Sequence, residues 1–280
     1  MPLVNQKIDA TNLSPNTKTM YKRALAKIGI IDTQSLHDTD MVLKRIESNF
    51  VSDESKKIAL NAVCKVTENT DIFDIYNEHR NQIKRKIEYD KSDNTRNVLP
   101  MSYSDMLNVP NLVKNKDPKQ ELIDKFFLYM HTHYPLRLDY YNIPINKKDT
   151  NYMTYDGKIL TFYLNQFKNV KSMGPQIITY DDPIIRDYLD TLKPDYLLYE
   201  KEGKTFNSRV AFGNHLSNLF KKYAGVKITI NDIRKITESN VIQGAGYNKL
   251  SNREKNKIHN KLLHQTHTAN QSYNFVFKIS

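Results

Sequence analysis

Through the first third of the chain, apolar residues fall at helical spacing. Ser14-Pro15-Asn16-Thr17 offers an N-cap with proline at the first helical position, ahead of Tyr21, Leu25 and Ile28 on one face. Gly29 stops that helix. Met41, Val42, Leu43 and Ile46 give a second helix, near residues 38–49, its apolar side. A third opens at Ser52-Asp53-Glu54, with acids in its first turn, and carries the stripe Ile58, Ala59, Ala62, Val63 and Cys64. A fourth covers 71–87, with Ile72, Ile75, Ile83 and Ile87 inside and Lys84-Arg85-Lys86 outside. The polar stretch that follows makes 91–99 the expected linker.

From Pro100 the pattern changes. Leu122, Ile123, Phe126, Phe127 and Met130 mark a helix over 119–132 that leads into His133-Tyr134-Pro135-Leu136-Arg137. Residues 151–155, 159–164 and 176–180 read as strands, and Asp156-Gly157 between the first two is a hairpin signal. The basic loop 165–175 contains Lys168 and Lys171. Helical spacing returns over 182–192, 208–223, 229–242 and 252–263, with a last short helix around Tyr273. The expected fold class is α+β, mostly α: a helical N-terminal domain over 1–90, then a mixed domain over 100–280 with a small antiparallel sheet.

Composition narrows the partners. A chain of 280 residues has room for two domains, and 39% hydrophobic with 26% charged residues suits a folded protein. The net charge of +11 favours a polyanion, with double-stranded DNA first. Cys64 is the single cysteine, which rules out an internal disulfide or a cysteine-based zinc cluster; its apolar stripe makes it a buried thiol in a reducing compartment. The opening residues show no secretory signal, and no apolar run approaches the ~18 residues of a membrane span. The expectation is an intracellular protein, in cytoplasm, nucleus or viral factory according to where its DNA is.

Four groups in the second segment invite a chemical reading. They are Pro135-Leu136-Arg137-Leu138-Asp139, the loop with Lys168 and Lys171, Asn231-Asp232-Ile233-Arg234, and His264 followed nine residues later by Tyr273. In order and local context they resemble the tyrosine recombinase, or phage integrase, family, including members from mobile elements and large DNA viruses. Ser14, Asn16, Thr17 and Tyr21 are similar to the opening helix of that family's core-binding domain. The resemblance implies a core-binding domain followed by a catalytic domain. Arg137 and Arg234 would be catalytic arginines, Lys168 the general acid with Lys171 second, His264 a phosphate ligand and Tyr273 the nucleophile. Asn16, Tyr21, Lys84, Arg85, Lys86 and Lys171 would touch DNA. Neither metal nor cofactor is implied, and the working form would be a homotetramer on DNA. Two positions depart from the pattern. Asn231, a catalytic-site candidate, stands where a histidine is usual; it can hydrogen-bond phosphate or backbone but cannot transfer a proton at neutral pH. The usual acid lies one residue early, at Asp139, where it would orient an arginine or cap a helix.

These residue types suit phosphoryl transfer. Guanidinium forks stay charged and grip non-bridging oxygens bidentately, while a cationic site favours the phenolate of a tyrosine whose ordinary pKa is about 10. The departing 5′-oxygen needs a proton, which a lysine on a hairpin can supply. Blander readings exist for each residue. Arg234 could pair with Glu238 one turn on, Tyr273 is one of 18 tyrosines, and His131 and His133, two apart on a helix, do not face each other. The same chemistry serves type IB topoisomerases, and a DNA-binding protein without cleavage would carry the same charge. The apolar tail Phe275, Val276, Phe277 and Ile279 is expected to pack as a strand or extended arm.

DNA binding should therefore be steeply salt-dependent. With six to ten phosphates contacted, the affinity measured by fluorescence anisotropy should fall by about 10³–10⁵ between 50 and 200 mM salt. A shallow dependence would count against a DNA partner.

Overall fold

The computed structural model describes residues 3–92, 98–263 and 276–277. The chain divides into two compact units, Met1–Arg96 and Asn97–Ser280. It is mostly helical with a small antiparallel sheet, and no described helix is long and apolar enough to cross a membrane.

The first unit holds α1 (Leu3–Asp9), α2 (Pro15–Lys27), α3 (Thr39–Asn49), α4 (Asp53–Val66) and α5 (Thr70–Ser92). Side-chain caps start four of them: Ser14, Asp38, Ser52 and Asn69 accept from the backbone N–H groups of Thr17, Met41, Ser55 and Ile72. Leu25, Ile28, Val42, Ile46, Leu60 and Val63 pack into one core, and Tyr76 Oη donates to Leu36 O at 2.8 Å to close its base. Cys64 is buried there. Gly29 (φ 72°) makes the left-handed turn after α2, where Arg45 Nη1 would lie 3.1 Å from an added Cβ. α5 continues past the expected end at Ile87, because Glu88 to Ser92 contain neither glycine nor proline. α1 leaves no clear signal in the sequence: Val4 and Ile8 are its only buried side chains, too few to show a period.

The second unit begins with β1 (Val98–Leu99), α6 (Tyr103–Asn108) and α7 (Pro118–His133), followed by β2 (Asn151–Tyr155) and β3 (Leu160–Leu164). Next come α8 (Val170–Met173), β4 (Gln176–Tyr180), α9 (Pro183–Leu192), α10 (Arg209–Ala224), α11 (Ile230–Gln243), α12 (Asn252–Lys261) and β5 (Val276–Phe277). α7 is buried on nearly all sides over its last three turns, through Ile123, Phe126, Phe127, Leu128 and Met130, and forms the centre of the core. Burying each such side chain contributes roughly 1.5–3 kcal/mol.

β2, β3 and β4 form an antiparallel meander with Tyr155 opposite Leu160 and Leu160 opposite Tyr180. Leu160, Phe162 and Leu164 face the core, while Tyr163 on the other face stacks on its register partner Tyr152 at 4.7 Å. The hairpin turn has four residues: Asp156 Oδ1 accepts from Lys158 N and Ile159 N, and Gly157 takes φ 90°. A short helix, α8, interrupts the basic loop. The tail forms a strand at Val276–Phe277, paired in parallel with Val98–Leu99 and separate from the three-stranded sheet. β1 in turn lies beside α11.

His131 is fully buried on α7. Its Nδ1–H donates to Phe127 O at 2.7 Å, its ring lies against Phe127, Tyr140 and Phe212, and Nε2 has no partner among the described residues. Burial pushes its pKa down from 6.5 to about 4, and His215 adds to the shift against the opposing hydrogen bond to Phe127. As pH falls, the unfolded chain takes up this proton first. The stability that depends on the neutral ring is thus present above about 6.5 and is lost toward 4, by up to ~1.4 kcal/mol per pH unit. Thermal midpoints should fall as pH is lowered through this window, and His131→Leu should make that fall shallower. An identical slope in the variant would acquit His131.

Candidate active site

Arg137 follows the end of α7. Pro135 has no N–H and biases Tyr134 away from helix, so α7 stops at His133 and the chain turns tightly, with Leu136 N donating to Tyr134 O at 2.7 Å. Arg137 (φ −57°, ψ −143°) then precedes a single 3-10 turn, Leu138–Tyr140. Its half-buried guanidinium donates no hydrogen bond among the described residues.

Asp139, two residues on, is 6% exposed. Burial raises its pKa, and Arg209, Arg234 and Arg137 oppose that rise in this order. Arg209, at the start of α10, reaches Asp139 Oδ1 at 3.4 Å and donates to Leu138 O at 2.7 Å. Asp139 thus sits in the field of three arginines and holds one of them directly. Arg209 had no sequence signal, because its carboxylate partner lies 70 residues away along the chain.

Arg234 is the largest fully buried side chain among the described residues, at 1% exposure. Nη1 donates to Pro135 O and Nη2 to Leu262 O, both at 2.7 Å. Asn231, one turn earlier, is exposed. Asn231 and Arg234 therefore lie in different environments. The line between core and solvent runs between positions three apart on α11, where the helix packs on α7 and α10. Thr229 and Asp232 close a capping box at the start of α11 and fix where that helix begins.

The hairpin loop arrives at the same place. Lys168 and Lys171 are exposed, and the residue between Lys168 and α8, Asn169, donates from Nδ2 to Leu263 O at 2.8 Å. Arg234 and Asn169 thereby hold two successive carbonyls, Leu262 and Leu263. Leu263 is buried and has φ 55°, a left-handed conformation that a branched side chain adopts only under constraint. The next residue is His264. Both His264 and Tyr273 lie outside the described residues, as does the short helix expected around Tyr273.

A buried polar chain lies one turn farther along α11. His259 Nδ1 meets Glu238 Oε2 at 2.7 Å, and its Nε2 meets Tyr247 Oη at 2.7 Å, with Glu238 and His259 both at 0% exposure. Glu238, one turn on from Arg234, holds His259. Among the described residues, no group of three or more His, Cys, Asp or Glu is placed to hold a metal ion.

The N-terminal candidates differ from one another. Asn16 is exposed on α2, while Tyr21 is half-buried, packs against the first unit's core, and has its phenol pKa raised mainly by burial. Tyr21 therefore serves that core first. On α5, Lys86 meets Asp53 at 2.9 Å and Lys84 meets Glu88 at 3.8 Å, while Arg85 is exposed. Comparison with models of known protein families finds no match, and comparison with curated proteins finds none either.

The Glu238–His259 pair has a measurable consequence. His259→Leu removes one hydrogen-bond partner of the buried Glu238 carboxylate and should cost roughly 1.5–3 kcal/mol in urea unfolding, whereas Glu238→Met combined with His259→Leu should recover part of that stability. A double variant as unstable as the single one would contradict the pairing.

Proposed function

We propose that this chain is a DNA strand transferase of the tyrosine recombinase kind, which cleaves and rejoins DNA through a 3′-phosphotyrosyl intermediate. The observation that carries the reading is the convergence on Leu262 and Leu263. Through Arg234 and Asn169, the segments bearing Arg137, Lys168, Arg234 and the approach to His264 meet at two adjacent carbonyls. Segments far apart in sequence are drawn together, and the residues they bring are those that phosphoryl transfer calls for.

In this reading Arg137, whose guanidinium is uncommitted among the described residues, takes the non-bridging phosphate oxygens. Arg234 holds the two flanking segments in register and adds its positive charge from behind. Tyr273 Oη attacks phosphorus, the bond from phosphorus to the 5′-oxygen breaks, and Lys168 gives that oxygen a proton, with Lys171 as the other candidate. Attack by a 5′-hydroxyl reverses the step, so rejoining needs no external energy source. The first unit serves as a core-binding domain, with Asn16 and the Lys84-Arg85-Lys86 run in contact with the duplex. Exchange between two duplexes calls for a homotetramer.

A second reading, a DNA-binding protein without cleavage, is favoured by one observation: both terminal nitrogens of Arg234, Nη1 and Nη2, donate to backbone carbonyls.

A nicked suicide duplex drawn from the DNA flanking the gene separates the readings. The wild type should form a covalent adduct, and Tyr273→Phe should form none. Arg137→Ala should slow adduct formation by about 10²–10³ while leaving DNA affinity within a small factor. DNA binding without any adduct would favour the second reading. Relaxation of a single plasmid without strand exchange would point to a topoisomerase.

A further inference from the structure

From Ser239 to Ser280 the chain carries six lysines and arginines and a single acidic side chain, Glu254. That stretch holds close to half of the net charge of the whole protein, which is +11. Most of it is concentrated on and just before α12, in Lys249, Arg253, Lys255, Lys257 and Lys261.

The structure distinguishes these cations from the basic run on α5. On α5, Lys84 and Lys86 have carboxylate partners. On α12, Glu254 is already occupied as a helix cap, accepting from Ser251 N at 2.8 Å and from Ser251 Oγ at 2.7 Å. Lys255 lies over the Tyr247 ring at 5.0 Å. Lys249, Arg253 and Lys257 are exposed and close no salt bridge among the described residues. Arg253 and Lys257, four apart, are neighbours on one outer face.

The inner face of α12 is anchored. His259 is locked between Glu238 and Tyr247, and the carbonyls just after the helix are held by Arg234 and Asn169. A helix with unneutralised cations outside and fixed polar ties inside is a rigid charged strip adjoining the candidate site. Like charges crowded on ten residues repel one another unless an anion lies against them.

We infer that the outer face of α12, through Arg253 and Lys257 with Lys249 beside them, contacts the phosphate backbone of duplex DNA independently of sequence. The inference rests on the DNA reading above and adds a binding surface to it. Because such binding is not sequence-specific, it can be tested without knowledge of the target site.

The test uses the full chain and a labelled duplex of arbitrary sequence, with affinity measured across a salt series. Removing one cation that neutralises a phosphate should reduce the slope of log affinity against log salt by about 0.9. Arg253→Gln/Lys257→Gln should therefore reduce it by about 1.8, and Arg253→Lys/Lys257→Arg should retain it. Lys114→Gln/Lys116→Gln removes the same charge from two exposed positions without salt-bridge partners among the described residues, away from the candidate site, and should change the slope far less. Unchanged thermal midpoints would show that all three variants are folded. A steep wild-type slope with equal behaviour of the two glutamine variants would overturn the role of α12 and leave the DNA reading standing. A wild-type slope near zero would overturn both.

Discussion

Much of the second unit depends on one buried guanidinium. Arg234 has almost no exposure to solvent, and an unpartnered cation at that depth would be costly enough to unfold a protein of ordinary stability. Its donors must therefore find acceptors, and they find the carbonyls of Pro135 and Leu262, which lie 99 and 28 residues from it in sequence. The same requirement that stabilises the charge fastens the exit of α7 and the end of α12 to α11. The Glu238–His259–Tyr247 chain repeats the device one turn away, so α11 and α12 are joined twice along their length. Two ties a turn apart set both the register and the direction of one helix against the other.

The electrostatics of this region follow from who is committed and who is not. Asp139 is buried among Arg209, Arg234 and Arg137, and burial still raises its pKa, so desolvation outweighs the attraction of the three cations. Arg234 donates to two carbonyls, and Arg209 is divided between Leu138 O and Asp139. Of these three arginines, Arg137 is the one that donates no hydrogen bond among the described residues. A phosphate arriving there would enter a region already biased toward negative charge, with Lys168 and Lys171 exposed on the neighbouring loop.

The chain from Leu263 to Val276, which includes His264 and Tyr273, is tethered at both ends. Leu263 is held by Asn169 in a left-handed conformation, and Val276 pairs with Val98 on a strand that lies beside α11. Changes in the hairpin loop or in β1 would therefore act on the two ends of the segment that carries the proposed nucleophile.

Periodicity and capping were enough to place the main helices and all three strands of the meander, because those signals are local: Ser14 with Pro15, Ser52 before Asp53, and alternating Leu160, Phe162 and Leu164 each act within a few residues. Net charge pointed to a polyanion, and the order of Arg137, Lys168, Arg234, His264 and Tyr273 pointed to one chemistry. Spacing on a helix could not say which of Asn231 and Arg234 turns inward, since that depends on where α7 and α10 press against α11. Nor could it find Asn169, Arg209 or His259, whose partners lie 94, 70 and 21 residues away and are chosen by the need to satisfy buried charge and carbonyl groups. The sequence by itself determined the elements and the cast of charged residues; the tertiary structure decided which charges are spent on the fold and which remain for a partner, because burial and pairing exist only once distant segments meet.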